Sequence, residues 1–156
     1  MQYIQVLVKL RKIIRSINIE SKKIEKQFGI SIPQLMCLQF LSDQTDYKAT
    51  ASSLKEYLKL NASTISGIIS RLELKGLVAK LPHKDGRASY ITLTAKGAEL
   101  LKEPPITLQD KLMSRLSNLS EERISELESN IDLLIDIMDA EDIDASPIIT
   151  TQDKVD

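Results

Sequence analysis

The sequence predicts a mostly helical protein with one small β-hairpin wing. Three observations carry that prediction. Of 156 residues, 42% are hydrophobic and 28% charged, with five glycines, five prolines and only 4% aromatics. That is a globular composition with little turn content for an all-β chain. Apolar residues recur three and four apart in long stretches at both ends of the chain. A single β-prone pair of segments flanks Asp85-Gly86, a dipeptide whose two residues tolerate the positive φ of a tight hairpin turn.

Residues 3–28 make the first element. Tyr3, Leu7, Leu10, Ile14, Ile17, Ile24 and Phe28 step three and four apart, with Ser21 the only gap. This is nearly a heptad seam. The opposite side carries Lys9, Arg11, Lys12, Arg15, Lys22 and Lys23, and Gly29 supplies the stop. A lone helix of this length cannot bury both its seam and its flanking isoleucines, so it needs a partner. Ser31-Ile32-Pro33 is a helix start, with serine as N-cap and proline in the first turn. Leu35, Met36, Leu38, Phe40 and Leu41 make that helix apolar nearly all round, hence central. Residues 42–49 read as a polar connection.

Two short helices follow, over residues 50–58 and 62–75. They are joined by a brief turn at Leu60-Asn61, with Asn61 or Ser63 as cap and Gly76 as terminator. Amphipathic helices joined so tightly are a helix-turn-helix signal. The period then changes. Residues 78–81 are extended, residues 83–87 form a polar tip, and residues 89–93 are β-prone, which makes a two-stranded wing with Pro82 confining its strand to an edge. Thr94 caps a further helix, broken at Pro104-Pro105 and resumed through Leu108, Leu112, Leu116 and Leu119. Ser120 caps the last helix, where Glu121 and Glu122 suit the first-turn dipole and Ile124, Leu127, Ile131, Leu134 and Met138 again step three and four apart. The expected organisation is an N-terminal dimerisation helix over 1–30, a central unit over 31–98, C-terminal dimerisation helices over 99–140 and a loose acidic tail over 141–156.

The net charge of −1 is a cancellation. Residues 1–30 carry +5, residues 31–47 carry −2, residues 48–102 carry +6 and residues 103–156 carry −10. A basic centre aimed at a polyanion, with an acidic C-terminal part facing elsewhere, accounts for this distribution.

Within residues 61–76 the apolar Ile65, Ile68, Ile69 and Leu72 share one face at 100° per residue. Ser63, Ser66, Gly67 and Ser70 lie opposite, flanked by Thr64 and Arg71. A face of small hydroxyl residues suits a helix that must approach base edges closely in a major groove about 12 Å wide. The bland alternative is a small-residue face packed on another helix. Lys84 and Arg87 on the hairpin tip would lie along phosphates or enter the adjacent minor groove, with Asp85 orienting Arg87 or capping the turn.

The run Gly-Leu-Val-Ala-Lys-Leu-Pro-His-Lys-Asp-Gly-Arg (residues 76–87), followed by Ile-Thr-Leu-Thr-Ala-Lys-Gly (residues 91–97), resembles the MarR family of winged-helix transcriptional regulators. The resemblance spans the whole chain, and its most specific marks are the wing's Asp85-x-Arg87 and the Leu93-Thr94-x-x-Gly97 after it. It implies an obligate homodimer on a pseudo-palindromic double-stranded DNA operator, with binding altered by a small-molecule effector or an oxidant. The expected DNA-binding residues are Ser63, Thr64, Ser66, Gly67, Ser70, Arg71, Lys80, Lys84, Asp85 and Arg87. Those expected at the dimer interface are Leu7, Leu10, Ile14, Leu112, Leu116, Ile124, Leu127, Ile131 and Leu134. Two departures stand out: Lys80 occupies a position where the family often has arginine, and Pro104-Pro105 interrupts a helix that runs straight in many members.

Competing classes are weaker. There is no glycine-rich phosphate loop, nucleophile elbow or metal-spaced cluster, so no enzyme, metal or cofactor is expected. One cysteine and one histidine exclude an internal disulfide and a structural zinc site. Cys37, between Met36 and Leu38 with no base within a turn, reads as a buried thiol ahead of a peroxide sensor. His83 reads as solvated or touching phosphate. The longest uncharged run, residues 27–42, is too short to span a bilayer. The N-terminus carries charges from Lys9 onward with no apolar block of signal-peptide length, so a cytoplasmic protein is expected. The chief rival is a winged helix that binds protein.

Overall fold

The computed structural model describes residues 1–82 and 89–151. Its elements are α1 (Gln2–Phe28), α2 (Ile32–Ser42), a single 3-10 turn (Thr45–Tyr47), β1 (Lys48–Thr50), α3 (Ala51–Leu58), α4 (Ala62–Leu74), β2 (Val78–Pro82), β3 (Ser89–Leu93), α5 (Ala95–Leu100), α6 (Leu108–Leu116) and α7 (Glu121–Ile137). They fall into two units. The first runs over Met1–Pro105 and takes in the segment that begins at Pro147; the second is Ile106–Ser146.

In the first unit, local capping sets the helix ends. α1 stops at Gly29, whose φ of 69° lies in the left-handed region and whose N–H donates to the Glu25 carbonyl. α2 starts with a capping box. The Ser31 hydroxyl accepts from the Gln34 N–H at 3.3 Å, and the Gln34 side chain accepts from the Ser31 N–H at 3.1 Å. The lack of a polar face on α2 places it at the centre, with Leu35, Leu38 and Leu41 fully buried. Around it pack Leu54 and Leu58 of α3, the four buried residues of α4, and Leu77, Val78 and Ile91. At the rim the Phe40 and Tyr57 rings stack, with centroids 4.4 Å apart.

The sheet has three strands in the order β1-β3-β2, both pairs antiparallel. Val78 faces Leu93 and Pro82 faces Ser89, while Lys48 faces Thr92 and Thr50 faces Tyr90. Pro82 therefore sits on an edge strand, as its missing N–H requires. The third strand corrects the reading of residues 42–49 as a plain connection: the β2–β3 hairpin is as expected, and β1 adds to it on the far edge of β3. Positive φ at Asp46 and Tyr47 turns the chain back on itself. Buried Ala49 and a hydrogen bond from the Thr92 hydroxyl to the Tyr47 carbonyl at 3.3 Å then hold β1 on β3.

A second difference concerns residues 141–156. Ile148 is only 8% exposed and belongs to the core cluster of the first unit. An apolar side chain among acids escapes a charge average, yet its burial stabilises by about 2 kcal/mol.

In the second unit Thr107 and Asp110 form a capping box that starts α6, and the Ser120 hydroxyl accepts from the Arg123 N–H to start α7. No residue of either helix is fully buried. Among the described residues no helix is long and apolar enough to cross a membrane, and no group of three His, Cys, Asp or Glu residues could hold a metal ion.

Candidate nucleic-acid interface

The geometry of α4 follows from its cap and its stripe. Lys59, in the left-handed region, ends α3. Two residues later the Asn61 Oδ1 accepts from the Thr64 N–H at 2.8 Å, so Asn61 is the cap and Ser63 is not. Ile65, Ile68, Ile69 and Leu72 are buried, which forces the opposite face outward. Ser63, Ser66 and Ser70 are exposed, and Thr64, Gly67 and Arg71 are half-buried. The helix thus presents short side chains with hydroxyl donors and acceptors to solvent.

Lys80, on β2, stands beside this helix with its ammonium 3.9 Å from the Glu73 carboxylate of α4. The pair is half exposed, and such a pair contributes little stability. A cavity of about 560 Å³ opens between α3, α4 and the sheet, lined by Thr50, Ala51, Ser52, Lys55, Ser66, Lys80 and Ser89 among others. Lys55 and Ser52 were not among the sequence-derived site residues. Their signal was present, since the inward Leu54 and Leu58 leave both on the outer face of α3. Lys84, Asp85 and Arg87, with His83, lie outside the described residues.

Of the residues expected at a dimer interface, Leu7 is 63% exposed and Ile131 48% exposed; Ile14, Leu112 and Leu127 are exposed too, while Leu10, Leu116, Ile124 and Leu134 are half-buried. Cys37 has no exposed surface. Desolvation by burial pushes its thiol up from 9.0 to about 12. A thiol held there has almost no thiolate at neutral pH, and the thiolate is the form that reacts with oxidants.

The described fold has counterparts among known proteins. Residues 30–89 match the model of the MarR family. The chain is 27% identical over 114 residues to an HTH-type transcriptional regulator of Mycobacterium leprae, covering 72% of this chain and 78% of that one. It is 28% identical over 125 residues to the organic hydroperoxide resistance transcriptional regulator of Bacillus subtilis, covering 80% and 82%. In fold it resembles Sco3205 of Streptomyces coelicolor, a MarR family transcriptional regulator solved in complex with DNA, with a TM-score of 0.61, 17% identity, and 90% and 89% of the two chains covered. It also resembles the MepR–DNA complex of S. aureus, with a TM-score of 0.59, 21% identity, and 83% and 96% covered. Over the matched segment, which holds the capped α3–α4 pair and the sheet that follows, the chain is similar to the MarR family and has the winged helix-turn-helix fold of these solved structures.

Proposed function

We propose that this protein is a sequence-specific DNA-binding transcriptional regulator, a cytoplasmic repressor that acts as a homodimer on a pseudo-palindromic operator. The observation that carries the reading is the solvent-facing row Ser63, Ser66 and Ser70 on α4, set opposite a buried apolar stripe and beside the sheet. A helix with this profile enters a major groove without steric conflict and offers hydrogen-bonding groups to base edges. Arg71 reads a guanine or clamps a phosphate, and Lys55 and Lys80 neutralise backbone charge at the rim. The wing residues Lys84 and Arg87, with Asp85 beside them, extend the contact along the phosphates. Phosphate neutralisation provides most of the affinity and makes it fall steeply with salt.

The uncovered apolar side chains of α1 support a second copy as the partner of that helix, and those of α7 support the same for the C-terminal helices. Patches of this kind on a small soluble chain mark interfaces. Two-fold symmetry then sets two α4 helices about one DNA turn apart, with half-site centres about 10 bp apart. A small effector would be taken up in the open groove of about 580 Å³ where the end of α1 meets α5, lined by Gln27, Phe28, Leu77, Lys96, Glu99 and Glu103 among others. Regulation by oxidation of Cys37 has the burial of its thiol against it.

The test is a mobility-shift series over salt concentration on fragments of the source genome, with random duplex as competitor. The proposal expects one fragment to survive excess competitor, with steep salt dependence and two chains per site. Equal, weak binding to every duplex would replace it with a winged helix that binds protein.

A further inference from the structure

The C-terminal end of α4 is tied down more thoroughly than a helix end requires. The Leu77 N–H donates to the Leu72 carbonyl and the Gly76 N–H to the Glu73 carbonyl, both at 2.9 Å, with Gly76 at φ 72°. This pair of bonds closes the helix by itself. Three further bonds hold the same turn to α5. The Lys96 ammonium donates to the Lys75 carbonyl at 2.8 Å, the Thr94 hydroxyl to the Gly76 carbonyl at 2.6 Å, and the Thr94 N–H to the Leu77 carbonyl at 3.2 Å. From the other side, the Lys75 ammonium donates to the carbonyl of Gly29, the residue that ends α1. Three helices distant in sequence meet at one turn, and two lysine side chains make two of its links.

We infer that Lys75 and Lys96 are positioning residues for DNA reading: they fix the angle of α4 through backbone carbonyls at its C-terminal end rather than through contact with DNA. The inference rests on the reading of α4 as the helix that enters the groove. Its force comes from leverage. The 13 residues of α4 span roughly 20 Å at 1.5 Å per residue, so a tilt of about 5° at the tied end moves the Ser63 end by between 1 and 2 Å. Hydrogen bonds to base edges tolerate a few tenths of an ångström. Phosphate contacts through long, flexible side chains tolerate far more, so a loosened α4 loses discrimination before it loses general affinity.

The experiment measures the affinity of the full-length protein for its selected operator and for a random duplex, each over a salt series, for wild type, Lys75→Met, Lys96→Met, the double Met variant and the two Lys→Arg variants. Methionine keeps most of the aliphatic stem and removes the donor, while arginine keeps a donor. The inference expects the Met variants to lose roughly tenfold in operator affinity, with random-duplex affinity and salt slope unchanged and the Arg variants close to wild type. A loss on both duplexes with a salt slope reduced by about 0.9 per lysine would show direct phosphate contact and overturn it. So would a lowered unfolding midpoint with operator affinity of the folded protein intact, because the links would then be structural only. If wild type does not distinguish operator from random duplex, the DNA reading itself fails and the inference falls with it, a result visible before any variant is compared.

Discussion

Replacing Gly97 by alanine isolates how tightly α5 is seated on the turn after α4. A Cβ at this buried position would lie within 3.0 Å of the Leu77 carbonyl oxygen and 2.7 Å from Leu93 Cδ1. The leucine methyl can swing aside. The carbonyl cannot, because it already accepts from the Thr94 N–H and belongs to a residue whose own N–H closes α4. Relief therefore has to come from moving α5 away, which strains the Thr94–Gly76 and Lys96–Lys75 bonds. Overpacking of this kind costs about 1–3 kcal/mol, and weakening one or two hydrogen bonds adds about 1–2 kcal/mol. The better helix propensity of alanine returns about 1 kcal/mol. The net expectation is a loss of about 2–3 kcal/mol, read as a urea midpoint lower by about 1 M or more at unchanged slope and fixed protein concentration. Gly76→Ala is the control: φ is 72° but the space is open, with Lys96 Cδ at 3.8 Å, so it costs only the left-handed strain of about 1–2 kcal/mol. A Gly97→Ala protein as stable as wild type would refute the account of this packing.

Other substitutions test separate parts of the account. Arg71→Ala and Ser66→Val should change which sequences are recovered from a randomised duplex pool, whereas Arg87→Ala should weaken binding to all duplexes alike; affinity intact at physiological salt in Arg87→Ala would remove the wing from the interface. Ile131→Asp or Leu7→Asp should shift the protein toward monomer in sedimentation velocity, and an unchanged distribution would remove that residue from the dimer contact. For Cys37 the sign follows from the raised folded value. The protonated thiol is favoured in the fold, so its contribution is fully present below pH 9.0 and is lost as pH climbs toward about 12. Unfolding free energy should therefore fall more steeply over that window in wild type than in Cys37→Ala; parallel curves would argue against a buried thiol. Asn61→Ala, which removes the α4 cap, should cost about 1 kcal/mol.

Much of the fold is written in local chemistry. Asn61, Thr94, Ser120 and the Ser31–Gln34 box are caps that act within three residues, so their meaning is readable without knowing what packs where. The register of α4 follows in the same way from the spacing of Ile65, Ile68, Ile69 and Leu72. β1 is different: Lys48-Ala49-Thr50 has no strand pattern of its own and exists because β3 offers it an edge. Ile148 is hidden for a similar reason, as an isolated apolar residue whose burial is decided by distant helices. The knot of Gly29, Lys75, Lys96 and Gly97 lies beyond local reading altogether, since its bonds join residues 46 and 21 positions apart. Gly97 was visible only as part of a motif; the structure supplies the reason that a side chain does not fit there.

Hydroxyl-radical footprinting on the selected operator tests the central claim most directly. The account predicts two protected patches on one face of the duplex, with centres about 10 bp apart, and loss of that fixed position along the fragment in Arg71→Ala. A single patch, or uniform protection that moves freely along the fragment, would contradict a symmetric pair of α4 helices reading the major groove.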